Sequence, residues 1–219
     1  LLQSRAFHKI PPANLQAVFI RMQRVEHAAG DVIIRQGDEG DYFYVVVSGR
    51  CVVTRETPLN RDGIKLAELG MGDTFGEEAL ISGSRRNATV TMLTDGALMR
   101  LAKDDFNSLL NEPLMRWVDY AGAERILAGG GRWLDVRLPS EFEHCHFDNA
   151  INVPLYFVRL KLKTLEPGIP YVVCCDNGRR SSAAAYLLSE RGFDASVLKG
   201  GIAATDLAEA LNSTAGNGS

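Results

Sequence analysis

Cysteine is scarce in this chain of 219 residues, with four in all, at positions 51, 145, 174 and 175. So few thiols over such a length exclude a disulfide framework and point to a reducing, cytoplasmic setting. Long apolar runs are missing too. No stretch approaches the roughly 18 residues that span a bilayer, and the first residues lack a signal-peptide layout, so no membrane partner is expected. Nor is positive charge in excess. Lys and Arg number 24 against 27 Asp and Glu, a formal net charge of −3. A field of that sign repels a phosphate polymer, which argues against a nucleic-acid partner. Local basic pairs, Arg85-Arg86 and Arg179-Arg180, suit a small anion instead. The sequence opens on Leu1 rather than Met, as expected of a piece of something longer.

At 46% hydrophobic residues, the length allows two domains, each with its own core. Up to about Glu26, apolar residues recur at helical spacing (Leu15, Val18, Phe19, Met22) behind the helix-entry pair Pro11-Pro12. From Ala29 to about Lys103 short β runs alternate with turns at Gly37, Gly40, Ser48-Gly49 and Asp95-Gly96, the texture of a sandwich or barrel. "DDFNSLLNEPLMRWVDYAGAERILAGGG" then reads as helix, interrupted by Pro113, and Gly129-Gly130-Gly131 marks a seam. The second domain can nevertheless begin in the preceding helix. Beyond the glycines, "RWLDV", "PYVVCC" and "DASVLKGG" read as strands and "SSAAAYLLSERG" as a helix closing at Gly192. Such alternation predicts a parallel sheet with helices on both faces. The expected architecture is a two-domain α+β chain. Residues 1–116 form a β barrel or jelly roll with flanking helices, 117–211 an α/β parallel sheet, and 212–219 a flexible tail.

Within the first half, "LGMGDTFGEEALISGSRRNATV" combines Gly70, Gly72-Asp73, Phe75-Gly76-Glu77, Ala79-Leu80 and Arg86. It resembles the phosphate-binding cassette of cyclic nucleotide-binding domains, as in bacterial catabolite activators and kinase regulatory subunits. The likeness covers about the first 110 residues. A cyclic phosphate is a compact monoanion beside a ribose. A helix starting near Gly76-Glu77 aims free N–H groups at it, and Arg86 adds a charge-assisted contact worth about 1.5–3 kcal/mol. The resemblance implies that Glu77 accepts the ribose 2′-hydroxyl and that Gly76, Ala79, Leu80, Asn87 and Ala88 line the site. Ala88 lacks the hydroxyl associated with guanine preference, which favours cAMP as the regulatory ligand; Asn87 is larger than the family's usual small residue. A competing expectation is that Arg86 and Glu77 pair with each other in a domain without a ligand.

In the second half, "LDVRLPSEFEHCHFDNAINVPL", "YVVCCDNGRRSSAAAYLLSERGF" and "VLKGG" resemble a rhodanese domain over about residues 125–204. The departures are Cys145, where the family has glycine, and the region of Ala204, where it often has tryptophan. The residues argue for the same site. A cysteine at the carboxyl end of a parallel strand lies where open α/β folds bind ligands. The turn Asp176, Asn177, Gly178 can point successive amides at the sulfur, with a helix N-terminus behind them. Arg179 and Arg180 add positive charge. Together they favour the thiolate, so the Cys175 pKa should fall below the free value of about 8.5. Such a sulfur can attack the sulfane sulfur of a small anionic donor such as thiosulfate, giving a Cys175 persulfide for transfer to cyanide or another thiol.

Spacing separates sulfur from phosphorus chemistry. Cysteine phosphatases of a related fold need Cys-x5-Arg with glycine three residues after the cysteine. Counted from Cys175, Gly178 fits but Ser181 stands at the arginine position; counted from Cys174, Arg180 fits but Asn177 stands at the glycine position. The Cys175 loop matches the sulfurtransferase length. Cys174 then ends the buried strand, and Cys51 belongs to a core. His144, Cys145 and His146 lack further ligand pairs, so no metal is expected. Asp135 and Arg137 serve as loop scaffold.

The combined expectation is a cyclic nucleotide-responsive sulfurtransferase or persulfide carrier, with Cys175, Arg179 and Arg180 catalytic and no cofactor beyond the nucleotide. Segment 104–127 would be the coupling element. The alternative is a non-enzymatic nucleotide sensor that uses the rhodanese fold for docking or redox sensing. A transcription regulator is disfavoured, since a rhodanese stands where the helix–turn–helix reader belongs. Family likeness also implies a homodimer through the connecting helix, although "RWVDYAGAERIL" is short for a coiled seam.

Overall fold

The computed structural model describes residues 10–206, and the chain divides after Leu114 into two compact units. The tail 212–219 and the residues before Ile10 lie outside the described residues.

The first unit opens with α1, Pro12–Arg21, whose first-turn proline gives up an N–H that has no helical partner anyway. The helical pattern was expected to run on to Glu26, but Gln23–His27 is a strand, β1. Val25 and His27 are half-buried and Arg24 and Glu26 exposed, a period of two that suits pairing with the strand Gly96–Ala102. The remaining strands of this unit are β2 (Val32–Ile34), β3 (Tyr42–Ser48), β4 (Cys51–Thr57), β5 (Asn60–Leu69), β6 (Thr74–Phe75), β7 (Thr89–Met92) and β8 (Gly96–Ala102). They form two antiparallel sheets, ordered β1-β8-β3-β6 and β2-β7-β4-β5, the jelly-roll barrel expected. Its interior holds Phe43, Leu98 and Leu101, and Phe43 stacks on Phe106 at 4.7 Å. A short helix, α2 (Glu77–Ser82), lies between β6 and β7.

After β8 come α3 (Lys103–Phe106), a π-helical turn (Asn107–Asn111) and α4 (Glu112–Leu114). Pro113 accounts for the wide turn. It has no N–H to give the carbonyl of Leu109, and its ring crowds that carbonyl. Asn14 Nδ2, from α1, donates to the Leu109 carbonyl at 3.2 Å instead.

The second unit departs from expectation at its start. Trp117–Val118 is a strand, β9, and not helix. It pairs parallel with β13 (Ala195–Leu198), Val197 facing Trp117 and Leu198 facing Val118. Helix α5, Tyr120–Ala128, starts only at Asp119, whose side chain accepts from Gly122 N at 2.7 Å. Gly129-Gly130-Gly131 is no seam, being the turn from α5 into β10 (Arg132–Asp135) within this unit. The five-stranded parallel sheet is completed by β11 (Ile151–Asn152) and β12 (Tyr171–Cys174), in the order β11-β10-β12-β13-β9. All four residues of β12 are buried, as a central parallel strand requires. Helices α6 (Pro139–His144) and α7 (Val158–Lys161) precede β12, and α8 (Arg179–Glu190) follows it. Ser181 through Glu190 are all buried; the serines and alanines of this helix allow close packing. Trp133, Phe147, Val172, Cys174 and Leu198 form the core beside α5. Cys174 is an apolar core residue there, and burial, with the Asp135 charge, pushes its thiol pKa well up.

Candidate functional site

In the first unit the cassette folds around Arg86, whose side chain is only 3% exposed. Arg86 Nη1 donates to the carbonyl of Gly76 at 2.5 Å; Nη2 donates to the carbonyl of Tyr42 at 2.8 Å and to Asp41 Oδ1 at 3.1 Å. Its partner carboxylate is thus Asp41, a residue the sequence reading did not single out. Gly76 has φ 90°, and a Cβ there would lie 2.9 Å from Tyr42 O and 3.1 Å from Arg86 Nη1. Only glycine lets α2 begin this close to the guanidinium. Glu77 is fully buried at the first position of α2, with Ala79 and Leu80 buried behind it and Ala88 buried beyond the loop.

Asn87 is half-buried and ties the cassette together. Its Nδ2 hydrogen bonds Glu78 Oε2, and its carbonyl accepts from Arg55 Nη1 of β4 at 2.6 Å. Glu78 and Arg55 were missed from sequence, because the fold brings them to Asn87 and no local pattern marks them. An open cleft of about 240 Å³ borders α2 and is lined by Glu39, Gly40, Ala79, Gly83, Ser84, Arg85 and Lys103. It lies beside the cassette, and its walls include neither Glu77 nor Arg86. Arg85 is 70% exposed there and donates to the Gly37 carbonyl at 3.0 Å.

In the second unit β12 delivers Cys175 to the carboxyl edge of the sheet. The sulfur accepts from Gly178 N at 3.2 Å and from Ser181 N at 3.4 Å, and lies 3.3 Å from Ser181 Oγ. Gly178, at φ 94°, turns the loop so that its amide faces inward, and it caps α8. The loop is held from outside by Ile202 N on the Cys175 carbonyl at 2.8 Å and by Ala203 N on the Asp176 carbonyl at 2.9 Å. Gly201 is needed for this: a Cβ there would lie 2.5 Å from Asp176 O. Cys175 has no exposed surface.

The arginines separate. Arg179 is exposed, its amide donating to Asn177 Oδ1 at 3.1 Å. Arg180 is engaged, Nη1 and Nη2 each donating to one oxygen of Glu141 at 2.7 Å and Nη2 also to Asp176 Oδ1 at 3.1 Å. The expected role of Arg180 as a donor-holding cation is therefore revised: two carboxylates already occupy its fork. The Arg180 hydrogen bonds hold Glu141 below its ordinary pKa, against the opposing effect of burial. Burial pushes Asp176 up, but Arg180 outweighs it, so that Asp176 also stays low. Beneath the loop, Arg137 and Asp135 form a fully buried bidentate pair, Nη2 to Oδ2 at 2.7 Å, and Arg137 Nη2 also donates to the Cys145 carbonyl at 2.5 Å. The Arg137 guanidinium is thus committed to Asp135 and the Cys145 carbonyl. His146 Nδ1 lies 2.7 Å from the Phe142 carbonyl and its ring stacks on Phe142. Among the described residues no group of three or more His, Cys, Asp or Glu is placed to hold a metal, and no helix is long and apolar enough to cross a membrane.

Two family models match the chain. Residues 24–112 match the cyclic nucleotide-binding domain, and residues 121–207 match the rhodanese-like domain. The chain carries both. Among curated relatives it is similar to the cGMP-dependent protein kinase, isozyme 1, of Drosophila melanogaster, 33% identical over 143 residues, 64% of this chain and 17% of the kinase. It is 37% identical over 113 residues to the cAMP-dependent protein kinase regulatory subunit of Dictyostelium discoideum, 50% of this chain and 33% of that subunit. The chain thus spans a third or less of these relatives' length. Among solved structures, the regulatory domain of Toxoplasma gondii PKA with cAMP matches at 29% identity and a TM-score of 0.47, covering 57% of this chain and 44% of that one.

Proposed function

We propose that the chain is a cyclic nucleotide-responsive sulfurtransferase or persulfide carrier. The observation that carries the catalytic half is the pair of backbone amides, Gly178 N and Ser181 N, aimed at the Cys175 sulfur. Hydrogen bonds donated to sulfur stabilise the nucleophile and, after sulfur uptake, the persulfide. Cys175 is the carrier and Asp176, Asn177 and Gly178 supply the loop backbone. Arg179 is the exposed cation of the loop, and Arg180 fixes the loop through Glu141. In the first unit, Arg86 and the start of α2 receive the cyclic phosphate and Glu77 the ribose; Gly76, Ala79, Leu80, Asn87 and Ala88 form the walls. Ligand control of transfer requires unequal affinity of the nucleotide for two states of the chain.

Two measurements test this reading. Incubation with a sulfane-sulfur donor, followed by mass spectrometry, should show one added sulfur on Cys175, removed by cyanide and absent from Cys175→Ala. Calorimetry with cAMP and cGMP, followed by the same assay with and without the ligand that binds, tests regulation. If wild type and Cys175→Ala give equal transfer, the enzymatic reading falls.

The complete burial of Cys175 favours a second reading, a nucleotide sensor that uses the rhodanese fold for docking or redox sensing. It predicts nucleotide binding without sulfur uptake at Cys175.

A further inference from the structure

The loop between β12 and α8 also sets out the parts of an intramolecular acyl transfer, on a side chain that sulfur chemistry leaves unused. Asn177 is exposed and is followed by Gly178. With no side chain on Gly178, nothing blocks its nitrogen from closing a ring onto the Asn177 side chain. Asn177 Oδ1 accepts from Arg179 N at 3.1 Å. The ring closed by that bond, an Asx turn, includes both Asn177 Cγ and Gly178 N and folds one back toward the other. The Gly178 N–H points at Cys175 Sγ, 3.2 Å away. The run from Cys175 to Arg179 thus holds a nucleophile, an electrophilic carbon, a proton acceptor and a donor on the oxygen where charge develops.

We propose that Asn177 is a self-modifying site, converted by its own loop to aspartyl and isoaspartyl forms. Gly178 N attacks Asn177 Cγ, and its proton passes to the Cys175 thiolate. The Arg179 N–H stabilises the negative charge that forms on Oδ1. The Cγ–Nδ2 bond then breaks with its electron pair on nitrogen, and the proton, returned from the sulfur, leaves with it as ammonia. Water opens the remaining succinimide ring at either carbonyl. One amide and one water give one carboxylic acid and one ammonia, and nothing is oxidised. Opening at the backbone carbonyl routes the main chain through Cβ, which lengthens it and draws the Gly178 amide off the sulfur. The change is one-way. Burial of the sulfur is no obstacle, because both partners belong to the loop. The inference needs Cys175 only as a proton acceptor beside Gly178, and it stands whether or not that residue carries sulfane sulfur.

The test incubates the full chain at neutral pH, folded or in denaturant. Chromatography and mass spectrometry then separate the amide, aspartyl and isoaspartyl forms of the peptide that holds residue 177. Unfolded, this position keeps only its Asn-Gly sequence. Folded, it should convert roughly tenfold faster, because the reacting groups are held together and served by a proton acceptor and an oxyanion donor. Cys175→Ala and Cys175→Ser should each lower the folded rate by about tenfold. The second substitution keeps an acceptor for the Gly178 N–H but a far weaker base, so its loss of rate reports proton transfer and not loop shape. A folded rate at or below the unfolded one overturns the inference, and that comparison needs no variant to fold. A Cys175→Ser rate equal to that of wild type overturns it as well, since the sulfur would then take no part.

Discussion

Glu141 grips Arg180 with both carboxylate oxygens, each 2.7 Å from a guanidinium nitrogen, and with one of them it also accepts from the Leu138 amide at 2.8 Å. One carboxylate thereby joins the start of α6 to the start of α8 and fixes the loop between β12 and α8.

The first prediction concerns acid. Arg180 keeps the Glu141 pKa below its ordinary value, and Asp176, despite burial, is held low by the same guanidinium. A carboxylate with a lowered folded pKa adds stability above its unfolded value, about 4 for these groups, and that stability is lost as pH falls through the folded value. Thermal unfolding of the second unit should therefore weaken below about pH 4, and Glu141→Gln should flatten this acid limb. An unchanged limb would show that the pairing adds nothing to stability.

The second prediction concerns the buried pair. Replacing Arg137 by methionine leaves Asp135 charged at 0% exposure, and breaking such a pair costs about 3–5 kcal/mol. Denaturant unfolding of Arg137→Met should show a loss of that size.

Thiol reactivity should report the burial of Cys51 and Cys174. Burial pushes the Cys51 thiol up to about 11, and burial with the Asp135 charge pushes Cys174 well up. At neutral pH both should resist alkylation in the folded protein and react on unfolding, as mass spectrometry of labelled peptides would reveal. Cys174→Ala should retain sulfur uptake and cost about 1 kcal/mol of stability.

Nucleotide affinity should depend on Arg86 and Arg55 in different ways. Arg86→Ala removes a charge-assisted contact worth about 1.5–3 kcal/mol, which weakens binding by about 10- to 150-fold. Arg55→Ala releases the Asn87 carbonyl. Since Arg55 acts through the Asn87 backbone, its loss should weaken cAMP and cGMP alike and by less than the loss of Arg86. Calorimetry with both ligands reads both effects, and a loss as large as that of Arg86→Ala would overturn this indirect role.

What the sequence made legible was local. The run from Cys175 to Ser181 and the cassette from Gly76 to Arg86 each fold on themselves, so turn composition and length pointed to amides aimed inward. What it hid was long-range. Asp41 meets Arg86 from 45 positions away, Arg55 meets Asn87 from 32, and Glu141 meets Arg180 from 39. No periodicity records such meetings. Trp117–Val118 was read as helix for the same reason, since its strand character comes from β13, far along the chain. The burial of Cys175 follows from packing around the whole loop, to which Ile202 and Ala203 contribute from beyond β13.

The parallel pairing of β9 with β13 also bears on any dissection of the molecule. Val197 N donates to the Arg116 carbonyl at 2.7 Å and Lys199 N to the Val118 carbonyl at 2.8 Å. A fragment begun at the glycine triplet would strip this flank and leave those amides facing water along a naked ribbon, an invitation to stick to its own copies. A cut at Met115 keeps the β13 flank covered, so the excised half should stay monodisperse only when Trp117 and Val118 travel with it.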